Sequence, residues 1–82
     1  MRNMPRKEKI KSLVEQGKEI LDIKEGEYVN KGAFAAWRSN VYNYLNDEFS
    51  IEEALAFTNI CENNHHKNVE NGIYFLEHLD SD

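Results

Sequence analysis

Apolar side chains recur at the 3.6-residue spacing of an α-helix in four separate segments of this 82-residue chain. None of the segments shows the strict alternation of apolar and polar residues that is typical of a half-buried β-strand. The connections between them are brief, and a chain of this length supports one modest core. The pattern predicts an all-α protein: a compact bundle of four short amphipathic helices, forming a single domain over residues 1–82 with flexible ends at about 1–4 and 80–82.

The first helix is expected to open at Pro5, because the missing N–H of proline has no intrahelical partner at that position. Gly26 is expected just past the end of this helix, at the C′ position. Gly17 lies inside the apolar stripe, which predicts either the close approach of another helix or a locally weak helix. The stripe consists of Ile10, Leu13, Val14, Gly17, Ile20 and Leu21.

The second helix is expected to run from about residue 31 to residue 46, where Asn46 and Asp47 are predicted to end it. The third begins with a capping box, in which the Ser50 hydroxyl accepts a hydrogen bond from the Glu53 N–H. A polar run over residues 63–67 predicts the last connection.

The second helix is expected to bury Phe34, Trp37, Val41, Tyr44 and Leu45. The third is expected to bury Ile51, Ala54, Leu55, Thr58 and Cys61, with Phe57 at the edge, and the fourth Val69, Ile73, Leu76 and Leu79.

No catalytic or metal-binding motif is found in the sequence. Cys61 and His65 are four residues apart and could share a helix face, but a structural zinc site needs four ligands, and neither C-x₂-C nor H-E-x-x-H is present. A nucleophilic Cys61 would also need a pocket and an orienting third group. We therefore expect no enzyme, no metal and no cofactor, with Cys61 as a small buried residue and with His65 and His66 as solvated loop residues.

No apolar run is long enough to span a membrane, and the basic N-terminus is not followed by the apolar segment of a signal peptide. The single cysteine cannot form an internal disulfide. The chain is therefore expected to be cytoplasmic, with no membrane partner.

Charge is distributed unevenly along the chain. Residues 1–38 contain nine bases and six acids, whereas residues 39–82 contain nine acids and Lys67 as their only base. Such asymmetry affects the choice of partner and the rate of association rather than the fold. It favours a partner that presents a basic surface.

The outer side of the predicted fourth helix is the strongest candidate for a docking surface. Glu70, Tyr74 and His78 are spaced at i, i+4 and i+8, and Glu77 lies beside Tyr74. Aromatic side chains concentrate binding energy in protein interfaces, and charges steer the approach of a partner. The predicted function is therefore a small acidic helical module for protein–protein interaction. The same prediction includes three further acids of this half, Glu52, Glu62 and Asp80.

Two other functions and one oligomeric state stay open. The chain could be a DNA mimic, an anti-defence protein of the anti-CRISPR kind that fills a basic groove with carboxylates. It could instead be a regulator that binds nucleic acid through its basic N-terminus, although a net charge of −5 makes direct nucleic-acid binding the weaker prediction. A homodimer is also compatible with a core of this size. The N-terminal bases are Arg2, Arg6, Lys7, Lys9 and Lys11.

An ordered set of residues resembles a short helical module found at the N-terminus of uncharacterised bacterial proteins linked to phage resistance or mobile elements. The matching stretches are residues 13–21, Phe34-Ala35-Ala36-Trp37, Tyr44-Leu45 ahead of Phe49-Ser50, and residues 69–73 running to Leu76 and Leu79. The resemblance implies a helical fold, an accessory role, a setting in phage–host biology, and no active site. Together with the predicted interaction function, it gives the expectation of an adaptor or inhibitor in phage–host conflict. The family usually has a glycine after the phenylalanine near the third helix, where this chain has Ser50.

Overall fold

The structure is a computed structural model that describes residues 6–79, in which all regular secondary structure is helical. The all-α prediction is confirmed. The ends that we expected to be flexible, about 1–4 and 80–82, lie outside the described residues. The helices are α1 (Arg6–Asp22), α2 (Lys31–Glu48), α3 (Ile51–Ile60) and α4 (His66–Glu77).

The four helices pack in a ring, in which each helix contacts its two neighbours in the order α1, α2, α3, α4 and back to α1. Neighbouring helices are antiparallel. The Arg6 side chain at the start of α1 reaches the carbonyl of Glu48 at the end of α2, and Arg38 in the first half of α2 reaches the carbonyl of Cys61 just past α3. The result is an up-down-up-down bundle around one apolar core.

Trp37 on α2 lies where all four helices meet. Its indole Nε1 donates a hydrogen bond of 2.8 Å to the carbonyl of Leu13 on α1, and the whole side chain is buried. Its ring meets Phe57 of α3 edge-on, with the centroids 5.5 Å apart. A buried indole N–H without a partner is costly, so the Leu13 carbonyl fixes the register of α1 against α2.

Two glycines allow the other helices to approach Trp37. A Cβ atom at Gly17 of α1 would lie 2.8 Å from Trp37 Cζ2 and 2.9 Å from Ile73 Cγ1. A Cβ atom at Gly72 of α4 would lie 2.5 Å from Cys61 Sγ and 3.2 Å from Trp37 Cη2. The predicted close approach at Gly17 is therefore confirmed, whereas the role of Gly72 is not evident from the sequence pattern.

The predicted buried face of α3 is partly wrong. Ile51 and Leu55 are 46% and 50% exposed, whereas Ala54, Phe57 and Cys61 are fully buried. The buried face is rotated toward Phe57 because this ring packs against Trp37 of α2 and Phe75 of α4. The first half of the capping box is confirmed, since Ser50 Oγ accepts a 3.2 Å hydrogen bond from the Glu53 N–H.

Two helix ends also differ from the prediction. Helix α2 continues through Asn46 and Asp47 to Glu48, where the Arg6 guanidinium donates to the Glu48 carbonyl and lies 4.5 Å from the ring centroid of Phe49. These tertiary contacts override the weak helix propensity of asparagine and aspartate. Gly26 is not the C′ residue of α1, which already ends at Asp22. It lies in a tight turn with φ +65°, a backbone conformation that glycine adopts without strain.

Two loops pair at the end of the bundle where α1 joins α2 and α3 joins α4. The Val29 N–H donates to the Asn64 carbonyl at 2.9 Å, and Asn64 Nδ2 donates to the Val29 carbonyl at 2.7 Å. The His66 N–H donates to the Glu27 carbonyl at 2.9 Å. This loop pairing joins segments about 35 residues apart and buries Val29 in the core.

Replacing Gly72 by alanine should destabilise the bundle. The new methyl group would overlap Cys61 Sγ, and overpacking of this kind costs about 1–3 kcal/mol, more than the roughly 1 kcal/mol gained in helix propensity. Urea denaturation should show a lower free energy of unfolding for Gly72→Ala. The same substitution in a Cys61→Ala background should cost at least about 0.5 kcal/mol less, because the sulfur is gone. Equal costs in the two backgrounds would contradict the contact.

Loss of the Asn64 side chain should weaken the loop pairing. Asn64→Ala removes the hydrogen bond to the Val29 carbonyl and should lower the free energy of unfolding by about 1 kcal/mol. Asn59→Ala, at an exposed site on α3, is the matched control and should stay within about 0.5 kcal/mol of the parent. If the two variants have the same stability, the hydrogen bond from the Asn64 side chain contributes nothing measurable.

Candidate functional site

The outer side of α4 carries four of the residues that the sequence singles out. The inner side of α4 is fixed in the core by Val69, Gly72, Ile73 and Leu76, which are all buried. The positions on the opposite side of the helix therefore point outward. The structure brings four of these together, and they are called the Tyr74 face: Glu70, Tyr74, Glu77 and His78, all exposed.

Tyr74 is the most exposed aromatic side chain among residues 6–79, with 64% of its surface accessible. Its ring is not isolated, because the His78 ring lies with its centroid 4.1 Å away. The His78 Nδ1 is 2.9 Å from the Tyr74 carbonyl oxygen, which can accept a hydrogen bond from it. These contacts restrain the histidine beside the tyrosine and give the face an ordered aromatic pair.

Glu77 borders the Tyr74 face on the side of α1. Its carboxylate lies 3.9 Å from Lys18 Nζ, and both side chains are about half exposed. An exposed ion pair at this distance contributes at most about 1 kcal/mol and is screened by salt. The Glu77 carboxylate therefore stays available to a second cation.

The other predicted acids do not join this face as one group. Glu52 is exposed in the first turn of α3. Glu62 lines a separate hollow between α2 and α3, together with Arg38 and Thr58. Asp80 lies outside the described residues. The structure thus places Glu62 on a different groove from Tyr74, and the predicted acidic surface is divided.

An open groove between α3 and α4 adjoins the Tyr74 face. The volume of this α3–α4 groove is about 600 Å³. The sequence did not predict it. The signal that was available is the position of Ile60, which lies away from the buried side of α3. The groove is lined by Glu53, Ile60, Asn71, Tyr74, Phe75, His78 and Leu79.

The N-terminal basic residues that the structure describes have different neighbours. Arg6 is occupied by Phe49 and the Glu48 carbonyl, and Arg2 lies outside the described residues. Lys7 and Lys11 instead line a smaller hollow of about 330 Å³ between α1 and α4. Arg6 therefore has an environment separate from the one that Lys7 and Lys11 share.

Cys61 is buried, as predicted, and its Sγ donates to the Asn68 carbonyl at 3.2 Å. Burial raises the pKa of the Cys61 thiol from 9.0 to about 12, with the nearby Arg38 guanidinium acting in the opposite direction. The neutral thiol that results is a poor nucleophile and a poor metal ligand. Within residues 6–79, no three His, Cys, Asp or Glu side chains cluster in a way that could hold a metal ion.

The two loop histidines are not simply solvated, which corrects the prediction. His65 caps α4, because its Nδ1 accepts a hydrogen bond from the Lys67 N–H at 3.1 Å. Its ring stacks on that of His66, with the centroids 4.6 Å apart, and meets Tyr28 edge-on. Both histidines are half-buried parts of the loop pairing. Their role in the described structure is architectural.

The buried thiol should make stability depend on pH in the alkaline range. The thiol ionises near pH 9 in the unfolded chain but keeps its proton in the folded one, so its stabilising contribution is complete below pH 9 and is lost as the pH rises toward 12. Urea denaturation at pH 7.5 and 10.5 should show that the parent loses roughly 1–2 kcal/mol more than Cys61→Ala. Parallel losses in the two proteins would show that Cys61 ionises normally in the fold.

No helix in the described part of the chain combines the length and the apolar character needed to cross a membrane. Comparison of the chain with known protein families, with curated proteins and with solved structures gives no match. The function must therefore be argued from the Tyr74 face and the groove beside it.

Proposed function

We propose that this chain is a protein-interaction module that binds another protein through the Tyr74 face. The observation that carries the proposal is the environment of Tyr74, which is 64% exposed, restrained by His78, and placed on the same side of α4 as Glu70 and Glu77. A large, ordered aromatic side chain exposed to solvent is typical of an interface anchor, since it offers contact area at a low cost in entropy.

The chemistry of the face favours a basic partner. The Tyr74 ring can receive an arginine or lysine side chain over its π-face, and Glu70 and Glu77 can accept charged hydrogen bonds at its border. The carboxylates also attract a basic surface over longer distances and increase the association rate. The partner that fits best is therefore a protein segment rich in arginine or lysine.

The cellular setting of this module is part of the proposal. The resemblance of its helical segments to accessory modules of phage-resistance and mobile-element proteins supports a role as an adaptor or inhibitor in phage–host conflict. The composition of the chain supports action in the cytoplasm. The proposal gives Cys61 no catalytic role, because its buried thiol is held neutral and away from the surface.

The Tyr74 face is tested by a double substitution that preserves the core. A partner purified from the native host with the parent protein should bind Tyr74→Ala/Glu77→Lys with a dissociation constant raised roughly thirtyfold, which corresponds to about 2 kcal/mol. Calorimetric titration measures this change. Urea denaturation should show little loss of stability, since both side chains are exposed.

The matched control is Ile23→Ala/Glu25→Lys in a distant loop. It makes the same change of charge, glutamate to lysine, and truncates Ile23, a large side chain that is 65% exposed. It should leave the affinity unchanged. An unchanged affinity for the Tyr74 variant, or an equal loss in both variants, would remove the Tyr74 face from the binding site. Competition of duplex DNA with the chain for that partner would instead favour DNA mimicry.

A further inference from the structure

Helices α3 and α4 have the fewest close Cα approaches of the four neighbouring pairs in the ring. They contact closely near the α3–α4 loop, where Gly72 lies against Cys61 and Phe57. The α3–α4 groove lies beside this contact. Glu53 and Ile60 line it on the α3 side, and Asn71, Tyr74, Phe75, His78 and Leu79 line it on the other side. A gap along two packed helices is the kind of site that receives a further helix.

The groove has an apolar floor. Ile60, Phe75 and Leu79 pack against the core but remain only partly buried, and all three line the groove. The Phe75 ring also lies 6.1 Å from the fully buried Phe57, so the floor continues into the core. An apolar side chain placed in the groove would bury surface that the bundle alone leaves exposed.

The rim of the groove is polar and carries one carboxylate. Glu53 lies on the α3 side, and Asn71 and His78 lie on the α4 side. Among the residues that line the groove, Glu53 is the only Asp, Glu, Lys or Arg side chain, so the one fixed charge of the lining is negative. The flanking charge therefore selects a cationic occupant over an anionic one.

The hollow between α1 and α4 lacks this combination. Three lysines and two glutamates line it: Lys7, Lys11, Lys18, Glu15 and Glu77. Its apolar floor consists of Ile10, Val14 and Leu76, which are already buried in the core. A ligand there would gain little apolar contact, and the net charge of the lining, three lysines against two glutamates, does not favour a basic partner.

We infer that the partner inserts a basic amphipathic α-helix lengthwise into the α3–α4 groove. The inference rests on the proposed function and names the chemistry of its partner. The ten residues of α3 span about 15 Å, so an inserted helix of about 10–14 residues matches its length. Apolar residues of that helix at i, i+3 or i+4, and i+7 contact Ile60, Phe75 and Leu79, and its flanking arginine or lysine residues meet Glu53 and the Tyr74 face.

A pair of model peptides tests this inference. The first is a 14-residue helical peptide with leucine at i, i+3, i+4, i+7 and i+11 and lysine or arginine on the other face. The second keeps the leucines and replaces the bases by glutamate. In ¹H–¹⁵N titrations of the full chain, the basic peptide should shift the amide signals of Ile60, Asn71 and Phe75. The acidic peptide should bind at least tenfold more weakly.

Variants of the rim locate the peptide without disturbing the core. Asn71→Arg places a cation at an exposed position on the groove and should weaken binding of the basic peptide at least tenfold. Asn59→Arg adds the same charge at an exposed position on α3 outside the groove lining and should bind as the parent does. No binding of the basic peptide, equal binding of the acidic peptide, or equal effects of the two variants would overturn the inference.

The two proposals fail in distinguishable ways. If the host partner loses affinity for Tyr74→Ala/Glu77→Lys but binds Asn71→Arg normally, the Tyr74 face stands and the groove is excluded as the docking site. If Asn71→Arg abolishes peptide binding and the Tyr74 variant binds the host partner as the parent does, the groove binds basic helices but the proposed function is wrong.

Discussion

The contacts of Trp37 determine how the whole bundle is assembled. Its N–H is satisfied by the Leu13 carbonyl, its edge meets Phe57, and the backbones of α1 and α4 reach it only because positions 17 and 72 lack side chains. A large indole at the junction of four helices leaves few alternative packings, because each neighbour is fixed by a steric or hydrogen-bonding requirement. The directions of α3 and α4, and hence the groove between them, follow from this junction.

Parts of this arrangement can be predicted from local sequence. The stripes of α1 and α4 and the Ser50 cap are predicted well, since each depends on residues within one helix. Helix α3 is different, because six of its ten residues are apolar and its pattern fits more than one buried face. Phe57 rather than Leu55 is buried because Trp37 and Gly72 lie beside it, and these contacts come from other helices.

The same distinction applies to the candidate site. The Tyr74 face can be predicted, since it is the opposite side of a clear apolar stripe. The α3–α4 groove cannot, because Ile60 and Phe75 become neighbours only through the spacing of two helices. The loop pairing of Val29 with Asn64 cannot be predicted from local sequence either, because the two segments are far apart in the chain and share no pattern. Asn46 and Asp47 predict a helix end that the structure does not have. Helix α2 continues to Glu48, whose carbonyl accepts a hydrogen bond from Arg6 at the other end of the chain segment.

The aromatic side chains form a continuous path from the groove to the centre of the molecule. Phe75 lines the groove, Phe57 lies next to it, and Trp37 follows. Trp37 is the single tryptophan of the chain. An occupant that displaces Phe75 would change the surroundings of the Trp37 indole, which lies two rings away. The intrinsic tryptophan fluorescence of the unlabelled protein should therefore change when the groove is occupied.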